Sequence, residues 1–324
     1  MSKYLSDQNK VTFIHESGTY ATPSGVEWSV GLVQEHTPEE NVNVIPIRYQ
    51  GSADRNVDDF VDGNQDFTGT ITYLPQDWRF LGFAIGSISE TTAAGSHTIT
   101  ETNTASRVQT IADQSLTSFA VKDWKVSATT GSNFIRQYNG CLVDSFNFTA
   151  TQGEVVTAEV GYIAQVATFS SGANLGVSGV LTTRPYIFSD VQLQIPSGTA
   201  IDNLTELTFN VNNNIEPGHY LTGSRQIKEG LPLNRDYEVT ATLITDSVNA
   251  KTLYDNYYQG GSQFNSMIKM MGVPGSLYLI MSGCKMTEMS IPSPLDSVQE
   301  TSMTFVPQHV NANVFDTIVD YNAW

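Results

Sequence analysis

The chain has 324 residues, of which 40% are hydrophobic, 10% aromatic and 15% charged. That suffices for the packed core of one large domain or two ordinary ones and argues against global disorder. Sixteen basic residues against 33 acidic ones give a net charge of −17, which works against gripping nucleic acid or an anionic membrane, because such grip comes from Lys and Arg set on phosphates. An acidic surface by itself serves solubility. Thr, Ser, Asn, Val, Tyr and Phe crowd the sequence and favour β structure. No apolar run is long enough to suggest a membrane span, and the opening MSKYLSDQNK lacks the pattern of a signal peptide, so folding in the cytoplasm is expected.

In chain order, residues 1–24 read as an N-terminal arm. The first strand signal is WSVGLVQEHTP, where Trp28, Val30 and Leu32 alternate with Ser29 and Gly31. A long loop is expected over about residues 39–65. It leads to a second strand whose apolar face is Phe67, Ile71 and Tyr73 and whose other face is Thr68, Thr70 and Thr72. PQDWRFLGFAIG then predicts a helix, with Trp78, Leu81 and Ile85 on one side, a capping Asp and a terminal Gly. A Thr- and Ser-rich stretch, about residues 87–118, reads as an insertion, either a hairpin or an exposed loop. YNGCLVDSFNF and a strand with Ala158, Val160 and Tyr162 inward, Thr157 and Glu159 outward, complete the half. Residues 171–185 read as a linker.

The remainder repeats this order. Shifted by 143, the segment from Gly140–Cys141 falls on Gly283–Cys284 without a gap, carrying Val160 onto Met303, Tyr162 onto Phe305 and Gln165 onto Gln308. A shift of 170 lays DFTGTITYL on DYEVTATLI, and one of 179 lays WSVGLVQEHTP on LTFNVNNNIEP, matching Trp28, Val30 and Leu32 to Leu207, Phe209 and Val211. A second loop is expected at 216–235, and a second helix in TDSVNAKTLYDNYYQGG, with Ala250, Leu253 and Tyr257 on one side. The expected fold class is therefore all-β with one short helix per domain: two tandem β-sandwich or barrel domains from an internal duplication, at 25–170 and 186–315, with a tail at 316–324.

Two cysteines at equivalent points of separate domains do not suit a disulfide. In both copies the apolar parity switches just past the cysteine. It runs Cys141, Val143, then Phe146, Phe148, and again Cys284, Met286, then Met289, Ile291. A shared bulge or bend is expected there. The five histidines show no metal-ligand spacing, no phosphate loop or GxSxG elbow is present, and the carboxylate pairs Glu39–Glu40 and Asp58–Asp59 sit in a polar stretch. No catalytic residue, metal or cofactor is assigned.

At LTELTFNVNNNIEPGHYLTGSRQIKEGLPLNRDYEVTATLITD the sequence resembles the tail tube proteins of tailed phages. It shares a strand ending in an Asn run, then Glu-Pro, a loop and an alternating strand leading to a helix; VDGNQDFTGTITYLPQDWRFLGFAIGS looks like a second version. The resemblance implies tail-tube domains and a major tail tube subunit whose stacked rings conduct DNA from capsid to host. Six tube domains per ring would make this chain a homotrimer of pseudo-sixfold symmetry. It further implies a place in the virion tail, assembly in host cytoplasm, tail terminator, tail-tip and tape-measure-type partners, passage of DNA without specific binding, and no membrane. On that reading Thr68, Thr70, Thr72, Glu159, Glu238, Thr240, Thr242 and Glu300 face the lumen, and Ile45, Pro46, Ile47, Tyr49, Tyr220, Ile227 and Leu231 anchor the contact between rings. A tube or other assembling β protein of a contractile injection machine, a minor tail-end protein and a capsid-decorating protein stay open. A glycan-degrading tail enzyme would need a carboxylate pair in a cleft, and no persuasive pair is present.

Three chains of −17 carry −51 between them, so their approach is opposed at low salt. Tube yield, followed by light scattering, is expected to rise between low and moderate salt. A fall over that range would contradict it.

Overall fold

The structure, a computed structural model, describes residues 9–16, 20–24, 26–49, 56–90, 95–101, 116–126, 133–172, 183–221, 223–245, 249–273, 275–292 and 298–316. The first half contains β1 (Lys10–His15), β2 (Glu27–Ser29), β3 (Leu32–Ile47), β4 (Asp59–Leu74), α1 (Arg79–Ile85), β5 (Gly86–Glu90), β6 (Ser96–Glu101), β7 (Phe119–Lys125), β8 (Asn133–Thr151), β9 (Thr157–Ala164) and β10 (Val166–Gly172). The second contains β11 (Val191–Gln194), β12 (Ala200–Ile201), β13 (Leu204–Asn212), β14 (Ile215–Gly218), β15 (Glu229–Pro232), β16 (Asp236–Ile244), α2 (Asn249–Leu253, continued by a wider turn to Gln259), β17 (Phe264–Met271), β18 (Gly275–Ser290), β19 (Glu300–Val306) and β20 (His309–Asp316).

All strand pairs are antiparallel, and the same order of pairing occurs in each half. In the first, β2–β1–β7–β8–β10 form one sheet and β8–β9–β4–β3 another. In the second, β12–β11–β17–β18–β20 and β18–β19–β16–β13 do the same. Two further pairings join the halves. The distal part of β8 lies against β13, and β6, in the stretch read as an insertion, lies against β20. The central sheet therefore runs β3–β4–β9–β8–β13–β16–β19–β18 across both halves, and a large apolar core spans them, with a small second cluster of Leu116, Leu142 and Ile215.

The long strands β8 and β18 serve two sheets each because they bend. Gly140 and Gly283 stand at φ 66° and 63°, a left-handed conformation that side chains resist. Each precedes a fully buried cysteine, opposite Phe119 or Phe264 at a break in register. A second bulge follows at Val143/Ser145 and at Met286/Glu288, where the alternation switches parity. Both corners repeat a backbone bond, from Gln165 N–H to the Asn139 carbonyl at 2.9 Å and from Gln308 N–H to that of Ser282 at 3.1 Å. The N–H of each glycine is accepted by a different side chain, Glu16 at 2.8 Å in one half and Asn265 at 3.2 Å in the other.

Above the first half's sheet, α1 is wholly buried. The expected capping Asp is corrected: the N-cap residue is Trp78, without a side-chain cap, and Asp77 one residue earlier accepts the Arg79 N–H at 3.1 Å. Phe83 meets Phe119 at 4.9 Å, and Trp78 meets Phe148 and Tyr186, each at 5.5 Å. A Phe148–Phe209 stack at 5.5 Å carries the packing into the second half.

Four expectations are corrected by register and extent. Thr37 opposite Thr70 occupies the place of Thr208 opposite Thr240, so the counterparts of Leu207, Phe209 and Val211 are His36, Pro38 and Glu40. Trp28 belongs instead to β2, opposite Phe13. The loop expected at 39–65 is largely strand, because Val42, Val44, Ile45 and Ile47 find partners in β4 and form a long two-stranded arm. Likewise 216–235 contains the small sheet of β14 and β15. Residues 10–15, placed with the N-terminal arm, pair as β1 with β7, since Val11 and Phe13 are apolar and buried. Most of the inserted stretch, the middle of the linker and residues 317–324 lie outside the described residues.

A Cβ at position 283 would meet Gln308 Oε1 at 2.4 Å, and one at 140 would meet Gln165 Cβ at 2.9 Å, whereas Gly153, also at positive φ, has open space around it. Gly283→Ala and Gly140→Ala are expected to lower unfolding free energy by about 1–3 kcal/mol each, and by more than Gly153→Ala, in urea titrations. Equal effects at all three positions would contradict the packing argument.

Candidate assembly surfaces

Alternate residues of the central sheet make one continuous polar face. One cross-strand row is Glu35–Thr72–Glu159–Asn147–Asn210–Glu238; another is Thr157–Thr149–Thr208–Thr240–Thr304–Glu288. Thr151–Glu206–Thr242–Ser302–Ser290 is the next. No Lys or Arg stands in these rows. Seven of the eight lumen candidates, Thr68, Thr70, Thr72, Glu159, Glu238, Thr240 and Thr242, lie on this face of β4, β9 and β16, half-buried or exposed. Glu300 lies at its margin, exposed, opposite Ile244. Reading one half at a time left out Asn147, Thr149, Thr208 and Asn210, which continue the face across the junction. The alternation in FNFTAT was their available signal. Thr149 and Thr208 hydroxyls meet there at 3.2 Å.

The reverse of the same sheet is apolar and buried. At the junction it presents Phe146, Phe148, Leu207, Phe209 and Val211, each at most 2% exposed. Asn213 locks this seam from its end: its side-chain amide donates to the carbonyls of Ala84 at 3.0 Å and Val143 at 2.8 Å and accepts from Arg235 at 2.8 Å. On β3 the corresponding face is polar. His36 hydrogen-bonds the Tyr162 hydroxyl at 2.8 Å, and Glu40 accepts from the Tyr138 hydroxyl at 3.0 Å.

The expected ring-contact residues fall in two places. Ile45, Pro46 and Ile47 lie on the β3–β4 arm and Tyr49 just beyond it; the arm also exposes Val42, Val44, Phe60 and Val61. Tyr220 is 44% exposed and Leu231 36%; the Tyr220 hydroxyl donates to Glu229 at 2.7 Å. Ile227 is buried, at 1% exposure, and packs within the chain. The second-half loop touches the arm's base, where Arg225 donates to the Gly63 carbonyl at 2.8 Å and pairs with Asp62 at 2.9 Å.

Chemistry is sparse among the described residues. Burial pushes the Cys141 thiol well above its ordinary range and the Cys284 thiol up to about 12, so neither supplies thiolate near neutrality. No group of three or more His, Cys, Asp or Glu side chains is arranged to hold a metal ion. His219 pairs with Asp66 at 2.7 Å and His309 with Glu101 at 3.1 Å. Among the described residues no helix is long and apolar enough to cross a membrane.

The fold and its faces define an all-β protein whose distinctive features are surfaces and edges. The chain belongs to the phage tail tube protein family, whose model matches residues 18–303. Among proteins of curated function, none matches it.

Burial lowers His36 to about 4, against an opposing pull from Asp123. The unfolded chain therefore binds the extra proton between about 6.5 and 4, and stability is lost as pH falls through that window. Measured against His36→Gln, the wild type is expected to lose up to about 1.4 kcal/mol per pH unit there. A constant difference between the two from pH 7 to 4 would contradict this.

Proposed function

We propose that this chain is the major tail tube subunit, and that three copies close a pseudo-sixfold ring from two tandem tube domains related by duplication. The observation that carries this reading is the junction within the chain. There the distal edge of one half's long strand, β8, pairs with the first central-sheet strand of the other half, β13. The corresponding edges, β18 and β3, carry no further strand among the described residues. Exposed edges invite pairing, and a closed ring satisfies them without leaving a growing end.

In such a ring the central sheets form one barrel. The polar face of Thr68, Thr70, Thr72, Glu159, Glu238, Thr240, Thr242 and Glu300 then lines the lumen. Carboxylates and hydroxyls repel or ignore phosphates, so DNA passes without being held. The arm with Ile45, Pro46, Ile47 and Tyr49, joined by Tyr220 and Leu231, buries its apolar surface against the next ring. Rings stack into the tail tube of the virion, assembled in the host cytoplasm, with tail-tip, tape-measure-type and terminator proteins setting its start, length and end.

Negative-stain microscopy of purified protein over a range of concentration and salt is the test. Rings or tubes are expected for the wild type. Ile45→Asp with Phe60→Asp is expected to give rings that do not stack. Monodisperse globules under all conditions would overturn the reading.

A further inference from the structure

Within the chain, β13 meets β8 with Phe209 opposite Phe148, Asn210 opposite Asn147 and Asn212 opposite Ser145. In the first half the strand that pairs as β13 does is β3, matched through β4 and through a shared bulge, Val33/Glu35 against Leu204/Glu206. The strand that bends as β8 does is β18, matched through its corner and second bulge. Carrying the internal register onto the two free edges sets Pro38 opposite Ile291, Glu39 opposite Ser290 and Asn41 opposite Glu288.

Two observations say what this edge lacks and what opposes its closure. Phe146 and Phe148, covered by β13, are 1% and 0% exposed; at the same positions of the second half Met289 is half-buried and Ile291 is 39% exposed. An apolar cover is therefore missing, and Pro38 stands where the register needs one; proline within a strand also marks it as an edge. On the polar face the internal seam brings no two carboxylates together: Asn210 and Asn212 stand against Asn147 and Ser145, and Glu206 against Thr151. The corresponding positions of the open seam carry Glu39 and Glu288, diagonal neighbours within reach of each other in this register.

We propose that the seam between chains sets β18 of one copy against β3 of the next in this register, and that the Glu39–Glu288 repulsion makes it conditional. This rests on the ring reading above and goes beyond it by naming the contact and its brake. The two halves of one chain join through a buried apolar face and a polar face on which no two carboxylates meet. Separate chains must bring two carboxylates together to gain the apolar cover, so they fold singly and close the ring only when that repulsion is offset.

The full-length chain tests this in two ways. By sedimentation velocity, Glu39→Lys or Glu288→Lys alone is expected to lower the concentration for half-assembly about two- to fivefold, and the double reversal to return it toward the wild-type value. Under mild oxidant, Asn41→Cys with Glu288→Cys is expected to give covalent ladders between chains, while Asn41→Cys with Ile280→Cys, on the proximal part of β18, gives none. Rings that form while neither reversal shifts assembly and the first cysteine pair stays unlinked would overturn this seam and leave the ring reading standing. Absence of any oligomer in every variant would overturn both.

Discussion

Everything in this fold depends on the bend at the two glycine–cysteine corners. A straight strand of the length of β8 or β18 would belong to one sheet. With a left-handed glycine and an extra residue at the corner, each strand closes one sheet with its first part and offers a fresh edge to another with its second. The buried cysteine fits the inside of the bend because it is small and apolar in its protonated form, and burial keeps it so. The corner thereby produces the distal edge of β8, which β13 covers, and the distal edge of β18, which nothing covers among the described residues.

Two kinds of surface follow. The central sheet separates apolar from polar side chains by alternation, so a polar face continues across its eight strands while the reverse is apolar only in the middle. Its ends differ from its middle. Inside, Leu207, Phe209 and Val211 make β13 a strand that must be covered; at the end, His36, Pro38 and Glu40 occupy the same positions on β3. His36 places its Nε2 on the Tyr162 hydroxyl and Glu40 accepts from the Tyr138 hydroxyl, which lets the edge stand in water without exposing a bare core. A protein that must stay dispersed and later assemble needs edges of this guarded type.

Much of this was legible in the sequence, and the misses have physical causes. The strands at Phe67–Tyr73 and Tyr237–Leu243 announce themselves by strict alternation, and the corners by a parity switch repeated at the same place. The register of β3 did not, because Trp28, Val30 and Leu32 imitate its alternation although Trp28 belongs to β2, Val30 to the link and only Leu32 to β3. Pro38 was the available sign of an edge strand. The arm was hidden by Glu, Asn and Asp residues that read as loop, although Val42–Ile47 and Phe60–Val61 pair as strand. The β8–β13 seam left no mark that reading each half alone can detect: pairing between halves is a property of two edges together.

The central claim is that the edge pairing seen once inside the chain is repeated between chains to close a ring of tandem domains. Native mass spectrometry of isolated rings measures this directly. The expected mass is three times that of the 35.4 kDa chain, each chain supplying two of six positions. Rings of six chains would contradict the account, since the second half would then have to occupy some place other than the central sheet of the ring.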